Sequence, residues 1–301
     1  MFVVAGPSQG RPLPGAPGCP IFPRDNHWNL PVDRLPVHPR SDAIVRSIGL
    51  ARTMHADFGS GRYEGGPIGI PFTTVGRGQR GVPVSFEYAS ESDRRRYPIP
   101  PGAPIEGGRG SDGDRHVIVV DRDRCRLDEL FAAYPGGDRW RAGSGAIWNL
   151  RSNRLRPRGW TSADAAGLPI LPGLARYDEV RRGRIDHALR FTAARTRRAF
   201  VYPARHFASD LTDPDLPAMG QRLRLKRGYR IAGFPRQARI VLRALKRYGM
   251  ILADNGSPWY VSGAPHRGWD NDQLHTLHRV PGRAFEVVDT TRLPRPRMGT
   301  P

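Results

Sequence analysis

Two ionisable residues with complementary proton chemistry lie in neighbouring glycine-rich segments. Glu106 lies in the sequence PIEGG, and His116 follows the run SDGDR and opens a β-branched segment. Glycine lets the backbone approach a ligand closely, and a carboxylate or imidazole held there can exchange a proton with a substrate. In the alternative interpretation, His116 is a structural residue with a hydrogen-bonded ring. We interpret Glu106 and His116 as candidate catalytic residues.

A third candidate, Asp164, lies in the segment GWTSADAAG and precedes an apolar loop with two prolines at residues 168–174. Apolar surroundings raise the pKa of a carboxyl group, as a general acid requires. The alternative is that Asp164 caps a buried turn of the backbone. The sequence therefore nominates Glu106 and Asp164 as an acid and base pair.

Two further histidines stand beside predicted strands. His187 begins a strand on which Leu189 and Phe191 share its face, and His206 follows another strand. His116, His187 and His206 could therefore meet at one end of a sheet, although structural histidines would show the same pattern. We predict His187 as a catalytic residue and His206 as a substrate-binding residue. The chain has no HExxH or other tight metal-ligand spacing, so no metal site is predicted from the histidines.

The loop that precedes His116 carries carboxylates among glycines. Asp112 and Asp114 offer oxygen ligands of the kind that Ca²⁺ prefers, but without the spacing of an EF-hand. Ca²⁺ at this loop is a secondary prediction, and no other cofactor is predicted.

Two polar segments have the composition of a sugar-binding surface. The first contains Asp25, Asn26 and Trp28, and the second begins a turn with Asp254 and Asn255. An indole ring stacks on a sugar, and amides hydrogen-bond its hydroxyl groups. The alternative for the first segment is an N-terminal strap in which Trp28 is packed. We include all of these residues in the predicted substrate-binding set.

The elements that must position these residues are predicted to be mainly β. The chain has 301 residues with 35 glycines and 30 prolines spread along it, which favours many short elements joined by turns. Residues 82–88 alternate between apolar and polar side chains, and residues 116–121 form a β-branched run typical of a central strand. The segment at residues 76–81 matches GxGxxG but opens no helix, so we interpret it as a hairpin loop. We expect a sandwich or jelly-roll-like sheet core.

A few short helices interrupt the β pattern. The clearest is predicted at about 235–248, where Pro235 occupies the first helical position and Gly249 the C′ position. Ser41 is predicted to cap a helix at about 42–50, and another helix is predicted to start at Asp270. Residues 1–18 are predicted to be a disordered lead-in, residues 19–290 a single β-rich domain, and residues 291–301 a loose basic tail.

The formal net charge of +20 suggests an anionic partner, but its make-up favours another explanation. The chain has only two lysines, Lys226 and Lys246, so arginine carries nearly all of the positive charge. Arginine together with abundant alanine, glycine and proline is typical of a GC-rich genome, and no basic run alternates with aromatic residues. We therefore do not predict nucleic acid as a partner. No apolar run reaches 18 residues, so no membrane span is predicted, and no oligomeric state is indicated.

Cys19 and Cys125 do not form a CxxC pair and cannot build a zinc site alone. If they are paired, they close a loop of about 106 residues, which the chain-entropy model equates with about 4–5 kcal/mol. Such a pair is oxidised in an exported protein and reduced in the cytosol. The first residues lack the charged n-region and long apolar segment of a signal peptide, so none is evident.

Several long segments resemble one family. They are CPIFPRDNHWN at residues 19–29, PIEGG at 104–108, DRHVIVVD at 114–121, GWTSADAAGLPILPGL at 159–174, DNGSPWY at 254–260 and FEVVD at 285–289. Together they are similar to an uncharacterised family of mostly exported bacterial proteins, over about residues 19–290. The resemblance implies export and supports the Cys19–Cys125 disulfide. No activity is established for that family, so the resemblance assigns no catalytic residue.

We predict a glycan-active enzyme, a hydrolase or lyase, that acts on an extracellular or cell-wall polysaccharide. Glycoside hydrolysis needs one acid and one base or nucleophile, and Glu106 and Asp164 fill these roles, with His116 and His187 as orienting or proton-transfer groups. The alternative is a non-catalytic polysaccharide- or envelope-binding protein, which needs no paired carboxylates. A third hypothesis is an envelope protein whose arginines bind an anionic polymer. In each case the predicted location is secreted or at the cell envelope.

Overall fold

A computed structural model describes residues 10–295, and the protein is mainly β with a few short helices, as the sequence predicts. The helices run over Ser41–Ile48 (α1), Tyr177–Arg181 (α2), Arg236–Arg247 (α3) and Asn271–His275 (α4). The strands run over His55–Asp57 (β1), Arg62–Tyr63 (β2), Gly66–Pro67 (β3), Phe72–Val75 (β4), Val84–Phe86 (β5), Val117–Asp121 (β6), Arg126–Phe131 (β7), Tyr134–Pro135 (β8), Trp140–Ala142 (β9), Ser144–Asn149 (β10), Leu189–Ala193 (β11), Arg197–Phe200 (β12), Ala218–Met219 (β13), Arg222–Leu225 (β14), Met250–Asn255 (β15), Tyr260–Ser262 (β16) and Phe285–Val287 (β17).

The largest sheet has six strands in the order β1-β16-β11-β15-β14-β17. Its pairing is mixed, because β11 runs parallel to β15 and β1 runs parallel to β16, while β14 is antiparallel to both of its neighbours. Every residue of β11 is buried, as expected for a strand covered on both faces. The two strands next to β11 in the sheet are β15 and β16, which lie more than 50 residues further along the chain and are followed only by β17 among the strands of the described residues.

A second sheet of four strands has the order β10-β7-β6-β4. Its strand β6 is buried throughout and lies between two partners, which confirms the predicted central strand. The predicted hairpin at residues 76–81 is wrong, because β4 pairs with β6 and β5 pairs with β9 in a separate sheet of the strands β5, β9 and β8. The segment therefore connects two sheets.

Helix α3 packs its apolar stripe onto the large sheet, with Val241, Leu242 and Leu245 fully buried. Pro235 is its N-cap residue rather than its first helical residue, and Gly249 follows the helix with a φ of +68°. A left-handed residue at that position ends a helix with little strain when it is glycine. The predicted C-terminal end of helix α3 is therefore confirmed.

The other two predicted helices form with one change in capping. Asp270 caps α4 by accepting a hydrogen bond from the backbone N–H of Gln273. Ser41, predicted as the cap of α1, is instead its first residue. Its hydroxyl oxygen accepts a hydrogen bond from the backbone N–H of Val287, so it ties α1 to the edge strand β17.

The N-terminal segment is tied to the core by the Cys19–Cys125 disulfide, with sulfurs 2.00 Å apart. The sequence predicts disorder for residues 10–18, but this prediction is wrong, because Leu13 and Ala16 are buried in the core. Residues 1–9 and 296–301 lie outside the described residues. The bridge therefore fastens an ordered strap to the turn that joins β6 and β7.

The described part of the chain, residues 10–295, contains no helix with the length and apolar character needed to cross a bilayer.

Candidate active site

The ionisable residues of the candidate site surround Arg190, a buried arginine in strand β11. Its guanidinium pairs with the carboxylate of Asp164 through two hydrogen bonds, Nε–Oδ2 at 2.9 Å and Nη2–Oδ1 at 2.8 Å. Nη2 also donates to Oδ2 of Asp254 at 3.0 Å, and Nη1 donates to Oγ of Ser262 at 2.8 Å. A two-point pair of this kind fixes the orientation of both partners.

The register of the large sheet explains how these residues come together. Asp57 is the cross-strand partner of Ser262, and Phe191 is the partner of Val261 on the other side of the same strand, β16. Arg190, one residue before Phe191, therefore lies across from Ser262. Asp57, Ser262 and Arg190 thus form a row across three neighbouring strands.

The four-stranded sheet supplies the opposite side of the site through the segment that leads into β6. Nδ1 of His116 lies 2.5 Å from Oε2 of Glu106, and Nε2 lies 2.9 Å from the carbonyl oxygen of Ala163. A carbonyl oxygen only accepts hydrogen bonds, so Nε2 must donate. With Nδ1 donating to the Glu106 carboxylate, the ring carries both protons and is an imidazolium.

The directions of the pKa shifts of His116 and Glu106 agree with a protonated imidazole ring next to an ionised carboxylate. Burial lowers the pKa of His116, but the Glu106 carboxylate outweighs the burial and raises it to about 9. Burial in turn raises the pKa of Glu106, while the charge and hydrogen bond of His116 hold it below its usual value. Glu106 is therefore an ionised carboxylate at neutral pH.

Glycines hold the Glu106 loop against the small hairpin of β2 and β3. A Cβ atom at Gly66 would lie 2.1 Å from the carbonyl carbon of Gly107, so the two backbones are in direct contact. Gly107 and Gly108 both have positive φ angles, +69° and +89°. Any larger residue would push the hairpin away from the loop. The hairpin also carries Tyr63, whose side chain is 70% exposed.

The side of the cluster that faces solvent, which we call its open side, is made of carboxylates. Asp57 and Asp114 are exposed residues, and the side chains of Glu106 and Asp254 remain 23% and 20% accessible. Partial desolvation and the nearby charge of Glu106 raise the pKa of Asp57. Burial and the neighbouring carboxylate of Asp164 raise the pKa of Asp254. The open side therefore combines an ionised carboxylate with carboxyl groups that retain a proton more readily.

Glu129 of strand β7 lies beneath the cluster and is fully buried. Its carboxyl oxygens accept backbone hydrogen bonds from Ile170 and Leu171 at 2.9–3.0 Å, at the start of the 3₁₀ turn Leu171–Gly173. Burial raises the pKa of Glu129 to about 7. Glu129 therefore anchors the apolar loop at residues 168–174 to the four-stranded sheet.

Acids outnumber bases in this cluster, which we call the Arg190 cluster. The cations are Arg190 and His116, and their charges interact with those of the surrounding carboxyl groups, which are Asp57, Glu106, Asp114, Glu129, Asp164 and Asp254. Desolvation and nearby like charges raise the pKa values of Asp57, Glu129 and Asp254, so these acids hold a proton more readily than isolated carboxyl groups do. A site with both ionised and protonated carboxyl groups can supply a base and an acid at the same pH.

A cation could also be accommodated at the open side. One ligand atom each from Glu106, Asp114 and His116 lies within 4.8 Å of the others. Both nitrogens of His116 are engaged by Glu106 and Ala163, however, so this ring would have to release Glu106 before it could bind a metal. Asp112 is exposed, and Ca²⁺ at the Asp112 and Asp114 loop stays a prediction.

The structure brings together four residues that the sequence singled out, Glu106, His116, Asp164 and Asp254, but places His187 elsewhere. The ring of His187 lies 3.0 Å from Oε2 of Glu179 and 2.7 Å from the carbonyl oxygen of Ala188. Glu179 in turn forms an ion pair with the buried Arg176 at 2.8 Å. We call Arg176, Glu179 and His187 the sealed cluster, because all three residues are buried.

His206 contacts the other side of the loop that carries Asp164. Its Nδ1 lies 2.8 Å from the carbonyl oxygen of Ala165, and its ring is only half-buried. The neighbouring turn residue Asn255 is held by Thr196 and donates to the carbonyl oxygen of Ala208 at 2.6 Å. Both side chains have a structural partner close to the site.

The predicted sugar-binding segment near the N-terminus forms a packed strap instead. Trp28 has no exposed surface, and its ring covers Gly173 in the 3₁₀ turn. Asn153 links Asn26 and Asp25 through hydrogen bonds of 2.9 and 2.8 Å. An indole without an exposed face cannot stack on a sugar, so the substrate-binding prediction for Trp28 is wrong and the strap alternative describes it.

Three residues of the cluster were missed by sequence reasoning. Arg190 gave a usable signal, since an arginine inside the apolar run of β11 must have buried partners. Glu129 gave a weaker signal of the same kind within β7. Asp57 gave no sequence signal, because β1 is only three residues long. The position of Asp57 in the cluster depends on the pairing of β1 with the distant strand β16.

No protein-family model, curated protein or solved structure matches this chain.

Proposed function

We propose that this protein is a glycan-active enzyme, a hydrolase or lyase, with its chemistry at the open side of the Arg190 cluster. The observation that carries the proposal is that the pKa values of two neighbouring carboxyl groups are shifted in opposite directions. His116 lowers the pKa of Glu106, whereas partial desolvation and then the charge of Glu106 raise the pKa of Asp57. Acid and base catalysis at a glycosidic bond requires at least such a pair of carboxyl groups.

In this proposal Glu106 is the base or nucleophile and Asp57 is the acid. Glu106 accepts a proton from water, or from carbon in the lyase version, and Asp57 donates its proton to the leaving glycosidic oxygen. Asp164 is a positioning residue, since both of its oxygens are engaged by Arg190. Arg190 in turn fixes Ser262, the cross-strand partner of Asp57.

The surroundings favour a substrate without negative charge. Asp114, whose charge acts on Asp57, flanks the pair with a further carboxylate, which would repel a polyanionic chain. The exposed ring of Tyr63 lies on the hairpin that packs against Gly107 and Gly108. An aromatic face beside a carboxylate pair suits a neutral or amino sugar. The arginine-rich outer surface contrasts with this acidic opening.

The Cys19–Cys125 disulfide supports a location outside the reducing cytosol, where such bonds persist. We therefore propose an extracellular or cell-wall polysaccharide as the substrate.

The test is a panel of neutral and amino-sugar polysaccharides, assayed for new reducing ends and for unsaturated products, with the wild-type protein and two variants. Glu106→Gln and Asp57→Asn should each abolish most of the turnover while binding is retained. The matched control is Asp33→Asn, which changes an exposed carboxylate outside the cluster. Equal turnover in all four proteins would refute the assignment. Binding without turnover by the wild-type protein would favour the non-catalytic polysaccharide-binding alternative.

A further inference from the structure

Three histidines from separate positions in the chain meet at the surface beside strand β1. His55 is the first residue of β1, His275 is the last residue of α4, and His278 lies in the 3₁₀ turn Thr276–Arg279 that follows. Nδ1 of His55 lies 2.7 Å from Nε2 of His278. The ring centroids of His275 and His278 are 4.4 Å apart.

The local structure explains why these rings converge. His275 and His278 are three residues apart on a continuous helical segment, so they lie on the same side of it. The Asp270 cap fixes the start of that segment. On the other side, Tyr260 of β16 stacks on His55 with ring centroids 4.2 Å apart. The His55 ring is thus held between Tyr260 and His278.

The three rings differ from His116, His187 and His206 in what surrounds them. His116, His187 and His206 each lie against a backbone carbonyl oxygen, and each has a carboxylate within 4.0 Å. Within residues 10–295, no carboxylate lies within ion-pair distance of His55, His275 or His278. The three-histidine cluster therefore has no anionic group to balance a proton.

Neutral imidazoles with accessible lone pairs are the state that binds transition metals. The rings of His55 and His278 already lie together, with Nδ1 and Nε2 2.7 Å apart and ring centroids 4.8 Å apart. Both rings are half-buried and His275 is exposed, so the cluster can be reached from solvent.

We propose that His55, His275 and His278 form a binding site for a divalent transition-metal ion of borderline softness, for which Zn²⁺ is the probe. Three imidazoles and one open position for water match a common zinc coordination. Imidazole nitrogens sit at about 2.0–2.1 Å from Zn²⁺, so His55 and His278 would separate slightly and the exposed His275 would turn toward the ion. The metal would clamp the short strand β1 to α4.

The site does not depend on the glycan-active proposal, although the two are close together. His55 and Asp57 are two residues apart on β1 and point to the same face of the sheet. A metal on His55 would therefore steady the strand that carries Asp57. Metal binding and turnover are separate measurements, so the failure of one proposal leaves the other open to its own test.

The experiment is calorimetric titration of the metal-free full-length protein with Zn²⁺. His278→Gln and His275→Gln should each weaken binding at least about tenfold, the scale on which even changes in outer-shell partners act. The matched control is His38→Gln, a histidine on the segment before α1, which should bind as the wild type does. Circular dichroism of each variant separates a lost ligand from a lost fold.

Spectroscopy gives a second readout that does not rely on affinity. Cu²⁺ added at one equivalent should show nitrogen hyperfine coupling in its electron paramagnetic resonance spectrum, and the coupling should change in His55→Gln. Unchanged Zn²⁺ binding in the folded His275 and His278 variants would overturn the proposal. Loss of binding in Glu106→Gln, with the histidine variants unaffected, would overturn it as well and place the ion at the open side of the Arg190 cluster.

Discussion

Two clusters in this protein are built from the same residue types but differ in charge balance and exposure. The Arg190 cluster and the sealed cluster each combine a buried arginine paired with a carboxylate and a histidine paired with a glutamate. In each, the pKa of the glutamate is raised by burial but held below its usual value by its cationic partners. Residue composition alone would not distinguish them.

The surroundings do distinguish them. Glu179 and the side chain of Arg176 are 0% and 2% exposed, and their charges are balanced by one another and by His187 and Asp178. Around Arg190 the carboxyl groups exceed the cations, and the excess faces solvent at Asp57 and Asp114. Balanced, sealed charges hold a fold together, whereas unbalanced charges at an opening are available to a ligand.

The largest expected effect is on turnover. Glu106→Gln should lower kcat on a polysaccharide substrate by about 10²–10⁴-fold, because the amide cannot accept a proton. The matching change in the sealed cluster, Glu179→Gln, should leave kcat per folded molecule unchanged and lower the stability instead. Steady-state kinetics with correction for the folded fraction makes the comparison. A fully folded Glu179→Gln protein without activity would remove the functional distinction between the clusters.

The next effect is on stability. Arg176→Met should lower the free energy of unfolding by about 3–5 kcal/mol, because it removes the arginine partner of the buried Glu179. Arg182→Met, which removes a more exposed partner of Asp178, should cost less than about 1 kcal/mol. Urea denaturation followed by tryptophan fluorescence measures both changes. Equal losses would mean that the sealed cluster does not act as a buried ion pair.

A pH dependence of stability should follow from the His116–Glu106 pair. The folded-state pKa of His116, about 9, lies above its unfolded value near 6.5, so the folded protein binds the proton more tightly. The stabilisation is fully present below about pH 6.5 and is lost as the pH rises to about 9, with a total on the order of 3 kcal/mol. His116→Gln should flatten the free energy of unfolding between these pH values. A wild-type curve that is already flat there would contradict the assigned imidazolium.

The smallest effect concerns the open side of the Arg190 cluster. Asp114→Asn removes a negative charge that raises the pKa of Asp57 and of His116. The basic limb of the pH–rate profile should move to lower pH by less than about one unit, because Asp57 then loses its proton more easily. The exposed position makes the change in stability small. A shift toward higher pH would argue against Asp57 as the acid.

A large part of the fold was accessible from local sequence patterns. Helix α3 follows from its apolar spacing with Pro235 before it and Gly249 after it, and β6 follows from a run of β-branched residues. The site was accessible only in part. Glu106, His116 and Asp164 lie in distinctive polar or glycine-rich segments, but nothing local distinguishes His187, which belongs to the sealed cluster, from them.

What the sequence by itself determined is the set of short-range features: a mainly β chain, its clearest helices, a central strand, two cysteines suited to a bridge, and polar loops able to carry chemistry. What only the tertiary structure decided is which of those features meet. Asp57 and Arg190 are brought together by the pairing of β1, β16 and β11, and Trp28 is sealed against Gly173. Pairing between distant strands depends on the packing of the whole core, so no local pattern encodes it.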